Sequence, residues 1–191
     1  MPAGNGKGVL IMNLANNLTN AASYFPDHTA LIDDNRTLTY RELDTEAGRI
    51  ASALKDFGVL PGDHIALLYP NSCDWVCFYF GVLKAGAVAV TLPFSMTENE
   101  LSPVLDDCRP SLLLTTDSKL PDITRKNFLN CIVSDKGDIS YDSFVSKGAS
   151  QFDTVEREPD DTAAILYTGG TTGLPKGVML THSNLIASSF N

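Results

Sequence analysis

The stretch HIALLYPNSCDWVCFYFGVLKAGAVAVTLP, residues 64–93, decides the fold class. HIALLY is a continuous apolar run without polar alternation, the pattern of a strand buried on both faces. NSCDWVCFYFGVLKAG reads as a buried helix ending near Gly86, with Cys73 and Cys77 one turn apart on the same face. AVAVTLP is then the next strand. A strand, a helix and a second strand, with both strands fully apolar, predict a parallel sheet covered by helices on both faces.

Working outward, the same alternation continues. Upstream, Leu14, Leu18, Ala22 and Phe25 recur at helical spacing, and Pro26-Asp27 stops that helix. TALIDD and RTLTY flank Asp34-Asn35 as a short hairpin. Thr39 and Glu42 form a capping box, in which each side chain satisfies the other residue's free backbone N–H. The helix behind it carries Leu43, Ala47, Ile50, Ala51, Leu54 and Phe57 on one stripe, and Gly58 ends it. Downstream, Thr97 and Glu100 make a second box opening ENELSPVLDDC. Pro103 is expected in the first turns of that helix or at a kink. SLLLTT, CIVS and TAAILYT read as strands, SYDSFVSKG as a short helix and residues 146–161 as a connecting loop. The expected class is α/β, a mostly parallel sheet with helices on both faces.

Composition narrows the function. A chain of 191 residues with 43% hydrophobic content can bury a sizeable core, and suits one domain or part of a larger one. A net charge of −9 offers no basic stripe for a nucleic-acid backbone. The four cysteines (Cys73, Cys77, Cys108, Cys131) and three scattered histidines (His28, His64, His182) match neither a disulfide framework nor a metal site. Packed reduced thiols and a cytoplasmic location are expected. The apolar run at Val9 to Met12 is too short for a signal-peptide core or a bilayer span. GNGKGV is not a Walker loop, because Lys7 is followed by Gly8 rather than Ser or Thr. Residues 1–12 are expected to be a flexible terminus. Trp75, Phe78, Tyr79 and Phe80 are expected to pack the helix that carries them.

The stretch with the most chemistry is ILYTGGTTGLPKGVMLTHSNL, residues 165–185. It leaves the carboxyl end of a strand, where sheets of this class bind ligands. Gly169, Gly170 and Gly173 place no side chain between backbone N–H groups and an anion. Thr168, Thr171 and Thr172 add hydroxyl donors, Lys176 adds a positive charge, and Pro175 restrains the exit. Hydrogen bonds to a charged acceptor contribute about 1.5–3 kcal/mol each, so a few of them bind a phosphate tail. The Walker pattern fails here too, since Pro175 and Gly177 flank the lysine. GVMLTH is β-rich, so the loop is expected to join two strands, with Ser183 capping a helix from Asn184. His182 is expected to be a hydrogen-bonding surface residue, with a ligand-facing role as the alternative.

YTGGTTGLPKGVMLTHSNL resembles the signature of the AMP-forming acyl-CoA synthetases, the adenylating superfamily that includes firefly luciferase and peptide-synthetase adenylation domains. The segment from LTYRELDTEAGRIASALKDF through LKAGAVAVTLPF is similar to the amino-terminal region of that family, as is NLANNLTNAASYFPDHTALI. Glycine at 169, where serine is common, resembles the long- and medium-chain fatty acyl-CoA ligases. The resemblance implies a two-step reaction. A carboxylate attacks the α-phosphate of Mg-ATP, giving acyl-adenylate and pyrophosphate, and the thiol of coenzyme A then displaces AMP. It implies that Thr168, Thr171, Thr172 and the backbone of Gly169, Gly170 and Gly173 hold the β- and γ-phosphates. Lys176 is then the catalytic group, stabilising the departing pyrophosphate.

The family runs to roughly three times this length. Residues 13–191 are therefore expected to be part of an amino-terminal domain, inactive alone and lacking the adenine, ribose, magnesium and acyl contacts. An exposed apolar patch and a tendency to homodimerise are expected where the remainder would pack. Fatty substrates imply transient association with membrane surfaces. The alternatives are an aryl-CoA ligase, a luciferase-like or peptide-synthetase enzyme, or a noncatalytic phosphate-binding module.

Overall fold

The computed structural model describes residues 12–123, 126–127, 129–168 and 175–189. Its centre is the stretch read first. β3 (His64–Leu68) and β4 (Val88–Thr91) pair in parallel, with His64 opposite Val88, and α3 (Cys73–Lys84) crosses between them. Ser72 caps α3 by accepting the Trp75 N–H, and Gly86 turns the chain into β4 at φ +73°.

Around this unit the main sheet has six strands in the order β6-β5-β3-β4-β7-β8, where β5 is Leu112–Thr115, β6 Cys131–Val133, β7 Thr162–Thr168 and β8 Lys176–Thr181. All neighbours are parallel except β7 and β8, which are antiparallel. The mostly parallel α/β class is therefore observed. A separate two-stranded hairpin, β1 (Thr29–Ile32) with β2 (Thr37–Thr39), precedes α2 (Tyr40–Asp56).

Alternate side chains of the strands supply two cores. Ile65 and Leu67 of β3 pack with Ala51 and Leu54 of α2, Phe78 of α3, and Phe144 of α5 (Tyr141–Lys147). Ala66 and Leu68 face the opposite side, against Leu101, Val104 and Leu105 of α4 (Glu98–Cys108). α2 and α3 approach closely at Gly81, where an added Cβ would stand 2.4 Å from the Ile50 side chain. Cys73, Cys77, Cys108 and Cys131 are buried thiols outside any disulfide. Among the described residues no helix is long and apolar enough to cross a membrane.

Both expected capping boxes are present, at Thr39–Glu42 and Thr97–Glu100. Pro103 sits inside α4, past the four residues whose N–H groups lack helical partners, and the helix continues to Cys108. The last helix, α6 (His182–Ser188), is capped by Thr181 rather than Ser183. The Thr181 hydroxyl accepts the Asn184 N–H at 3.2 Å, and Asn184 Oδ1 accepts the Thr181 N–H at 3.2 Å. That reciprocal pair starts the helix two residues earlier than the sequence alone suggests.

The chain's first described residues, with α1 (Ala15–Tyr24) behind them, close the structure. The Met12 N–H donates to Arg157 O, and Asn13 Nδ2 donates to Leu83 O at 2.8 Å and Val155 O at 2.9 Å. The Leu14 N–H donates to His182 Nδ1 at 3.0 Å.

Candidate functional site

α3 follows β3 on one face of the sheet, and α4 follows β4 on the other. The chain thus leaves two adjacent parallel strands in opposite directions. Such a switch point opens a crevice at the carboxyl ends, the general place for ligands in open α/β sheets. A cavity of about 530 Å³ lies there. Its walls come from Tyr69 to Asn71 after β3, Thr91 to Phe94 at the end of β4, and Leu166 to Thr168 at the end of β7. Trp75 also lines it. Expected only to pack its helix, Trp75 does stack on Tyr79, with ring centroids 5.3 Å apart, and its half-buried indole also walls the crevice.

Thr168 is exposed at the rim, directly opposite Lys176 in the β7–β8 ladder. The two expected site residues that lie among those described are therefore brought together, as the two ends of one hairpin. Gly169, Gly170, Thr171, Thr172 and Gly173 lie outside the described residues. The expected pairing of the flanking strands is observed.

The neighbouring ladder pair is Tyr167 and Gly177. Tyr167 is buried, and its Oη donates to Asp107 Oδ2 of α4 at 2.5 Å. Burial, followed by that hydrogen bond, raises the phenol well above the ordinary tyrosine range. An added Cβ at Gly177 would stand 3.1 Å from Tyr167 Cζ and 2.9 Å from Ile165 Cγ2, so the absent side chain makes room for the ring. On the α4 side a second cavity of about 460 Å³ is lined by Pro103, Val104 and Asp107 with Pro175, Lys176 and Gly177. The hairpin root therefore stands between two hollows, and Lys176 borders one of them.

His182 is not the surface residue its position suggests; it is fully buried. Burial, then the nearby Arg157 charge, pulls its pKa down to about 4. It is therefore neutral at pH 7, accepting from Leu14 through Nδ1. His182 lines neither of these cavities. Asp107, Tyr69 and Thr91 were not legible as site residues. No local motif marks them, and their place depends on the strand order.

Known proteins match this arrangement. The AMP-binding enzyme family matches residues 18–191. The long-chain-fatty-acid–CoA ligase of Bacillus subtilis (strain 168) is 32% identical over 206 residues, spanning 90% of this chain and 37% of the ligase. Gramicidin S synthase 2 of Brevibacillus brevis is 34% identical over 164 residues, spanning 84% of this chain and 3% of the synthase. The crystal structure of the anthranilate CoA ligase AuaEII in complex with anthranoyl-AMP superposes with a TM-score of 0.89 at 27% identity, over 95% of this chain and 37% of that one. The chain spans at most 37% of the length of these three proteins. With the fold, the switch-point crevice and the sequence in agreement, the chain belongs to the AMP-binding enzyme family.

Proposed function

We propose that this chain is the phosphate-holding part of an ATP-dependent acid–CoA ligase acting on a fatty carboxylate. One observation carries the reading: Thr168, which lines the switch-point crevice, faces Lys176 across a hairpin whose other strand borders the second hollow. A hydroxyl and an ammonium paired across that hairpin suit an anionic ligand, and the crevice beside Thr168 leaves room for the group attached to it. The similarity to the Bacillus fatty-acid ligase supports the substrate class, since that protein's name carries it.

In this reading the Thr168 hydroxyl donates to a phosphate oxygen, together with Thr171, Thr172 and the backbone of Gly169, Gly170 and Gly173. Lys176 neutralises charge that builds on pyrophosphate as the carboxylate takes its place on AMP. The gain is positioning and charge stabilisation rather than proton transfer. Coenzyme A is the second substrate, accepting the acyl group. Magnesium arrives bound to the nucleotide's phosphates and lowers their charge. Among the described residues no group of three histidine, cysteine or carboxylate side chains converges to hold it independently. Four cysteines outside any disulfide favour a reducing compartment such as the cytoplasm. The exposed Val178 and Met179 of β8, an edge strand, favour homodimerisation of this chain and transient contact with lipid surfaces.

A second reading, aromatic rather than fatty acids, draws on the likeness to the anthranilate ligase structure. The aromatic lining of the crevice, Tyr69, Trp75 and Phe94, suits it.

Calorimetric titration of the 191-residue chain with MgATP and with pyrophosphate tests the phosphate reading. Binding without turnover is expected, and Lys176→Ala is expected to weaken pyrophosphate binding by about 10-fold or more, the loss of one charged partner. Equal affinity in the wild type and Lys176→Ala removes the role of the lysine. In a ligase of full family length, the same substitution is expected to slow pyrophosphate release in the first step by about 10–1000-fold.

A further inference from the structure

We infer that Asp107 and Tyr167 form a positioning pair, in which the α4 carboxylate holds the Tyr167 hydroxyl and thereby sets the separation of Thr168 and Lys176 for a phosphate-bearing ligand. The inference rests on the phosphate reading of the hairpin and names residues that act behind it.

The geometry has three parts. First, the Tyr167 ring is buried against the α4 side of the sheet, where phenylalanine would fill the same space. Only the hydroxyl adds something, and it reaches Asp107. Second, Tyr167 precedes Thr168 and pairs with Gly177, which follows Lys176. One hydrogen bond therefore restrains the strand entering the loop at the position where the strand leaving it has no side chain in the way. Third, β8 is the edge of the sheet, with β7 as its sheet neighbour, so its placement depends on how firmly β7 is held.

α4 is a sound anchor for that purpose. Leu101, Val104, Leu105 and Cys108 bury one face of it, and its first turn is boxed by Thr97 and Glu100. Lys126 Nζ donates to Asp106 Oδ2 at 2.9 Å and to Ser102 Oγ at 3.1 Å, pinning the same helix from outside. A charged acceptor strengthens the phenol hydrogen bond over a neutral one.

The test uses the 191-residue chain with Asp107→Ala, Asp107→Asn, Tyr167→Phe and Lys176→Ala. Hydrogen exchange reads the hairpin without any ligand. In Asp107→Ala and Tyr167→Phe, exchange in residues 166–168 and 176–178 is expected to quicken by about 10-fold, while β3 and β4 keep wild-type protection. Pyrophosphate affinity in the same two variants is expected to fall by about 10-fold. Asp107→Asn keeps an acceptor and is expected to fall between Asp107→Ala and wild type in both readouts. Unchanged exchange overturns the inference. So does faster exchange with unchanged affinity, provided Lys176→Ala still weakens binding; the pair is then structural and the phosphate reading survives. If wild type and Lys176→Ala alike fail to bind pyrophosphate, the phosphate reading fails first, and the positioning role falls with it.

Discussion

His182 shows how far one residue's chemistry can depart from its sequence context. A histidine between Thr181 and Ser183 at a strand end suggests a wet side chain. It is dry, and the Leu14 N–H, distant in sequence, gives Nδ1 of the neutral ring its hydrogen-bond partner, while Nε2 is buried without one. The consequence is a pH dependence. The folded ring titrates near pH 4, whereas an unfolded histidine titrates near the ordinary 6.5. Between those values the unfolded chain binds the proton more readily, so stability falls as pH drops through the window. Relative to His182→Asn, the wild type is expected to lose about 2–3 kcal/mol between pH 7 and pH 4, followed by urea unfolding. A parallel pH profile in the two proteins refutes the assignment. Legibility at this scale followed locality. Thr168 and Lys176 announce themselves within one short motif, and the ladder sets them face to face. The Tyr167–Asp107 bond joins residues 60 apart, and neither one's neighbours hint at the other.

At the scale of elements, the helix starts were the most legible feature, because a capping box is complete within four residues. Around α2 the Thr39 N–H donates to Glu42 Oε2 at 2.8 Å, and the Glu42 N–H donates to Thr39 Oγ1 at 3.3 Å. Thr39→Ala is expected to destabilise the chain by about 1 kcal/mol, measured as a lower urea midpoint with an unchanged slope. α6 was misplaced because THSN offers two hydroxyls, and only Thr181 has a residue three positions on that bonds back. The strands were legible as strands, since β3, β4 and β5 are nearly unbroken apolar runs. Their order was not. Strands buried on both faces look alike in sequence, and whether β5 lies beside β3 or beyond β4 depends on which face α4 covers.

At the scale of the molecule, the segment around Asn13 reinforces a junction that the Val155 N–H already makes by donating to Lys84 O. Asn13 is almost wholly buried, donating to Leu83 O and Val155 O while its Oδ1 accepts the Ala15 N–H. Asn13→Ala leaves the buried Leu83 carbonyl and the half-buried Val155 carbonyl without that donor. It is expected to cost about 2–3 kcal/mol of global stability, with faster amide exchange from Met12 to Ala15 as the local signature. An unchanged urea midpoint contradicts the clamp. The parts it joins lie far along the chain from residues 12–14, so no local pattern discloses it.

That clamp also bears on how the protein is made. Leu14 leaves the ribosome 168 residues ahead of the histidine that receives its N–H. At cellular elongation rates the delay is roughly ten to thirty seconds, during which the Leu14 N–H lacks this acceptor. α1 itself packs through Leu18 on α2 and through Ala15 on Leu83 of α3, which are made far sooner, so the helix can seat early and only its Leu14 tie to His182 is left to close last.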